Sequence, residues 1–70
     1  MYKNELSRLI KERGYNPLRL AKRFNYTPSV VYNWTYGIRE PGAHDMLRLS
    51  KVLQVPVETI VRIFGGNDDI

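Results

Sequence analysis

Residues 16–41 read NPLRLAKRFNYTPSVVYNWTYGIREP, and their order encodes two helices joined by a tight turn. Asn16 precedes Pro17 and Thr27 precedes Pro28. A side-chain acceptor followed by Pro opens a helix well, because Pro has no N–H to leave unpaired in the first turn and its φ is already helical. Behind the first signal, Leu20, Ala21 and Phe24 share one face while Arg19, Lys22 and Arg23 share the other. Asn25 tolerates the left-handed conformation and breaks this helix in place of Gly. Behind the second signal, a rotation of about 100° per residue turns Val30, Val31 and Trp34 toward a core. It gathers Pro28, Ser29, Tyr32 and Tyr36 on the opposite side, with Asn33 at the edge. No charged residue falls between Arg23 and Arg39. An exposed face bearing two Tyr and no charge is unlike a solvated surface, where Lys, Glu and Arg are the default, and it reads as a contact face. Gly37 ends the helix, and Ile38 to Gly42 reads as a loop with strong turn residues.

Outward from this stretch the pattern remains helical. Tyr2, Leu6, Leu9, Ile10 and Arg13 recur at three- and four-residue steps, which predicts a first helix stopping at Gly14. A fourth helix is expected from about Ala43 to Leu53, burying Met46, Leu47, Leu49, Ser50 and Leu53 on a wide stripe. Ser50 is small where helices approach. A fifth is expected over Val57 to Phe64, apolar at Val57, Ile60, Val61 and Phe64 with Ile63 left to one side. The expected organisation is therefore an all-α, five-helix domain over residues 1–64 and a short flexible tail over 65–70.

Composition bounds what such a domain can do. The chain has 70 residues, 43% apolar and 26% charged, enough for one small core and too balanced for a disordered tail. Without Cys it has neither a disulfide framework nor a thiolate metal cluster. No apolar run is long enough to span a membrane and no export signal is present, so a cytoplasmic protein is expected. The net charge of +4 is unevenly spread. Residues 1–39 hold eight Lys or Arg against two Glu, whereas residues 40–70 hold three against five acids. A basic half concentrates polyanions and speeds encounter with nucleic acid or anionic lipid.

The spacing Leu20-Ala21-x-x-Phe24-Asn25-Tyr26-Thr27-x-x-x-Val31-x-x-Trp34-x-x-Gly37-x-Arg39-x-Pro41 resembles that of the phage-repressor and Cro-like (lambda-repressor-like, Xre-type) helix-turn-helix DNA-binding domains. Leu47-x-Leu49-Ser50-x-x-Leu53-Gln54-Val55 and Val57-x-x-Ile60 continue the likeness, which covers roughly residues 5–64. The residues have physical reasons of their own. Ala21 is small where the third helix crosses close to the second, Val31 and Trp34 fill the angle between them, and Thr27 is expected to cap the third helix.

The resemblance implies a sequence-specific double-stranded DNA-binding regulator, a repressor of phage, mobile-element or bacterial origin, with its third helix in the major groove. It implies base contacts from Pro28, Ser29, Tyr32 and Asn33. Asn33 is the strongest choice, since a carboxamide bonds both N6 and N7 of adenine. It implies phosphate contacts from Asn16, Arg19, Lys22, Arg23, Thr27, Tyr36 and Arg39. The surplus of apolar residues in the fifth helix suggests a homodimer, at least on DNA. The chain also departs from the pattern. Pro17 stands where many members carry a Gln that braces the third helix, and Thr35 with Ile10 replaces a common Glu–Arg pair. Asn25 and Gln54 replace Gly, Gln with more strain.

Catalysis has little to stand on. His44 and Asp45 are adjacent and point about 100° apart on a helix, no second His or Cys completes a metal site, and Asp68-Asp69 sits in the tail. Neither a cofactor nor a small-molecule ligand is expected. The rival reading is a protein-interaction module, an antitoxin or an adaptor that binds a partner through the third- or fifth-helix face, since Tyr is enriched at such interfaces.

Overall fold

Asn, Pro and Gly punctuate this chain, and in the computed structural model, which describes residues 4–65, they mark every helix start and stop except the end of α4, which falls at Gln54. The described residues form five helices and no strand: α1 (Glu5–Glu12), α2 (Pro17–Phe24), α3 (Pro28–Thr35), α4 (Ala43–Leu53) and α5 (Val57–Ile63). The all-α expectation holds. The chain divides after Glu40 into a unit holding α1 to α3 and a unit holding α4 and α5.

In the first unit, Asn4 adopts an extended conformation and its Oδ1 accepts the Leu6 N–H at 3.0 Å, so the helix begins one residue later. The expected Tyr2 member of the stripe lies outside the described residues. Leu6 and Ile10 are buried, Leu9 is half-buried, and Arg13, placed on the same stripe by spacing, is exposed at the C-cap. Asn16 caps α2 by accepting the Arg19 N–H at 2.8 Å, with Pro17 in the first turn.

Four helix ends repeat one device. Gly14, Asn25, Gly37 and Gln54 take positive φ, and the next residue bonds back across the turn. These bonds run from Tyr15 N to Ile10 O at 2.9 Å, Tyr26 N to Ala21 O at 2.9 Å, Ile38 N to Asn33 O at 3.0 Å and Val55 N to Ser50 O at 3.0 Å. This Schellman arrangement satisfies carbonyls that the helix leaves unpaired. Gly suits it because it lacks the Cβ that clashes in the left-handed region, and Asn tolerates it; Gln54 holds it without either advantage.

Leu6, Ile10, Leu20, Ala21, Phe24, Val31 and Trp34 are the buried apolar residues of the first unit. Phe24, Tyr26 and Trp34 meet edge to face, with centroids 6.0 to 6.1 Å apart. Val30, expected in the core, is half-buried. Thr35 is fully buried, and its Oγ1 donates to Tyr32 O at 2.8 Å. A buried hydroxyl thus finds its partner in its own helix, and a neutral residue stands where the related pattern carries a charge.

In the second unit Leu49, Leu53 and Ile60 are buried. Leu47, expected in the α4 stripe, is 51% exposed, and Met46 and Ser50 are half-buried. Two residues on a helix lie about 200° apart, so the phase that buries Leu49 turns Leu47 outward. Ser50 Oγ donates to Leu47 O at 2.9 Å. On α5 the exposed apolar residue is Val61 rather than Ile63, which is half-buried with Phe64, the C-cap. The expected tail lies outside the described residues from 66 onward.

Candidate nucleic-acid interface

The hairpin of α2 and α3 presents one face whose chemistry follows from its phase. Val31, Trp34 and Thr35 turn inward, which leaves Pro28, Ser29 and Tyr32 exposed and Asn33 and Tyr36 half-buried. Tyr32 is 41% exposed. The Asn33 carboxamide makes no hydrogen bond among the described residues, while its backbone carbonyl takes the Ile38 N–H at 3.0 Å and the Arg39 N–H at 3.3 Å. An amide with both donor and acceptor unspent can read a base edge that offers the complementary pair.

Thr27 precedes α3 in an extended conformation, but its side chain does not cap the helix. Its Oγ1 instead lies 3.2 Å from Ser29 Oγ. The expected cap is thus corrected: the hydroxyl pairs with a hydroxyl of the first turn, and Pro28 alone supplies the helix-opening preference at this end. Both hydroxyls are exposed at the N-terminus of the helix.

Cations flank this uncharged face. Arg19, Lys22 and Arg23 are exposed on α2, and Arg39 is exposed just past the turn that ends α3. Among the described residues, none of these four is within salt-bridge distance of a carboxylate; the ion pair that occurs is Arg48 with Asp45 at 3.4 Å, in the second unit. Arg19 is partly committed: its Nη1 donates to Gly14 O at 2.7 Å and its guanidinium carbon lies 5.4 Å from the Tyr15 ring centroid. Asn16 spends its Oδ1 on the α2 cap. Lys22, Arg23 and Arg39 therefore carry the less restrained positive charge.

Two participants escaped sequence reasoning. Tyr15 braces Arg19, a contact that the four-residue spacing across the Asn16-Pro17 start of α2 conceals. Asn4 reaches the end of α3, donating from Nδ2 to Trp34 O at 2.8 Å and from its backbone N–H to Thr35 O at 2.7 Å. A cap signal at Asn4-Glu5 stood in the sequence, but the thirty-residue separation of its second partner left no local trace. Among the described residues no group of His, Asp and Glu can hold a metal ion, and no helix is long and apolar enough to cross a membrane.

The helix-turn-helix family model matches residues 6–60, from Leu6 on α1 to Ile60 on α5. Comparison with curated proteins and with solved structures finds no match.

Proposed function

We propose, on the premise that the chain belongs to the lambda-repressor-like (Xre-type) helix-turn-helix family of DNA-binding regulators, that it is a sequence-specific repressor of transcription which acts in the cytoplasm and docks α3 in the DNA major groove. The observation that carries this reading is the uncharged, exposed face of α3 set between cations that, among the described residues, have no carboxylate within salt-bridge distance. Phosphate attraction supplies affinity and register, and the neutral face supplies discrimination, because only base edges differ between sequences. Pro28, Ser29, Tyr32 and Asn33 meet base edges in this reading, and Asn16, Arg19, Lys22, Arg23, Thr27, Tyr36 and Arg39 meet the backbone. In this reading the DNA-binding domain is residues 1–64.

A lone small domain makes few groove contacts, so the functional unit on DNA is a homodimer. Val61 is 43% exposed on α5, and Val57, Glu58 and Arg62 line a groove with it. Two such helices packed about a twofold axis would bury Val61 and set Glu58 of one copy opposite Arg62 of the other. The deciding experiment is selection of bound duplexes from random DNA. Recovery of a common motif supports the reading. Recovery of no motif, together with gel mobility that no duplex alters at low salt, sinks it in favour of a protein-binding module.

A further inference from the structure

All four hydrogen-bonding groups of Asn4 are used at once: its carbonyl accepts the Ser7 N–H at 3.1 Å, and the other three tie together two helix ends far apart in sequence. Oδ1 accepts the Leu6 N–H at 3.0 Å and so opens α1. Nδ2 donates to Trp34 O at 2.8 Å, and the backbone N–H donates to Thr35 O at 2.7 Å. Trp34 and Thr35 are the last two residues of α3, whose terminal carbonyls have no partner within the helix. Gly37 N–H also reaches Trp34 O, at 3.2 Å, the longer of the two bonds on that oxygen. At the other end of α3 the Thr27 side chain makes no cap.

We propose that Asn4 is a positioning residue for DNA reading: it holds the C-terminal end of α3 at a fixed height and rotation, and thereby sets sequence discrimination. The inference rests on α3 being the helix that reads DNA. An eight-residue helix is about 12 Å long, so a small pivot at one end displaces side chains along its whole length. Tyr32, Asn33 and Tyr36 stand on the last turn, next to the tether. A recognising constellation must be held to within about 0.5 Å and 10–20° of its productive geometry. Electrostatic attraction to phosphates has no such tolerance limit. Loosening the tether therefore costs the preferred sequence more than an unrelated one.

The test uses Asn4→Asp and Asn4→Ser in the full chain. Both keep a side-chain acceptor suited to the start of α1 and both keep the backbone bond to Thr35, while the Asp carboxylate has no donor for Trp34 O and the Ser hydroxyl ends one bond short of the Nδ2 position. In the free protein, amide shifts of residues 36–39 are expected to move while the helical Cα shifts of residues 6–9 hold. On DNA, the affinity ratio between the selected duplex and an unrelated duplex of equal length is expected to fall about fivefold, with the salt slope unchanged. Leu53→Val, a buried α4 residue away from α3 in sequence, serves as the stability control: it lowers the melting temperature and leaves the ratio where it was. Asn4 variants whose ratio matches that control would overturn the positioning role and leave Asn4 as a cap alone. A parent protein that binds every duplex equally overturns instead the reading on which the inference rests, whatever the variants do.

Discussion

Trp34 stands edge-on to Phe24, with ring centroids 6.1 Å apart and planes inclined at 63°, and this contact joins α3 to α2. Tyr26, in the turn between them, completes the group at 6.0 Å from Trp34. Truncating the indole removes both edge contacts and leaves a cavity between the helices. Trp34→Ala is expected to cost about 3 to 5 kcal/mol, a large share of what a small domain possesses. Circular dichroism melting checks this, since the variant lacks the chain's one Trp. A cooperative transition within a few degrees of the parent would show that the aromatic group does not hold the unit together.

The left-handed helix ends make a graded set. Gln54 sits at φ 59° and Asn25 at φ 63°. Left-handed backbone costs an ordinary L-residue about 1 to 2 kcal/mol, and Gly returns part of the relief as chain entropy. Gln54→Gly is expected to stabilise by about 0.5 kcal/mol, and Asn25→Gly to be nearly neutral because Asn already tolerates the region. Gly37→Ala, at φ 73° with nothing within 4 Å of the added Cβ, tests backbone strain without steric clash. It is expected to lose about 1 kcal/mol. Chemical denaturation of the three variants gives the order; a Gln54→Gly protein less stable than the parent would contradict it.

The same residues explain what could be read before any coordinates. Asn16-Pro17, Thr27-Pro28, Gly14, Asn25 and Gly37 marked α2, the turn and α3 to within a residue, because capping and positive φ are local chemistry. Rotation by 100° separated Tyr32 from Trp34 for the same reason. Leu47 and Val61 were misassigned to buried stripes because short helices offer more apolar letters than one stripe needs, and only packing selects the phase. On the candidate site, Asn4 and Tyr15 were illegible as partners of α3 and Arg19: a tether across thirty residues and a stack across a helix start have no periodic signature. Thr27 failed as a cap because a second hydroxyl at Ser29 competes for it, which a residue-by-residue preference does not register.

Assembly can be tested apart from folding, because Val61 is exposed in the single chain. Val61→Asp is expected to melt like the parent and to prevent two copies from sharing one DNA site. Sedimentation of the parent on a selected duplex is expected to give two chains per site, with half-sites about 34 to 36 Å apart. The variant is expected to give one chain per site and weaker binding. A parent that forms strictly one-to-one complexes on every bound duplex would defeat the dimer.

The division of labour between an uncharged α3 and its cationic flanks predicts two opposite phenotypes. With no cation between Arg23 and Arg39, the commonest specific contact, Arg or Lys on guanine O6 and N7, is not available from this helix. Reading falls to the Asn33 carboxamide, to hydroxyls and to apolar contact with thymine methyls, so adenine and thymine are expected at the contacted positions. Asn33→Ala is expected to cost about 1 to 3 kcal/mol on the best site while leaving affinity for unrelated duplex and the salt slope unchanged. Arg39→Ala is expected to weaken all sequences alike and to flatten the salt slope by about one unit, because a phosphate contact releases a counterion whatever the base. Titrations at several salt concentrations, on matched and unrelated duplexes, separate the two, provided both variants melt like the parent. Undiminished binding of the preferred site by Asn33→Ala would mean that this side chain reads no base and that α3 meets DNA in another orientation.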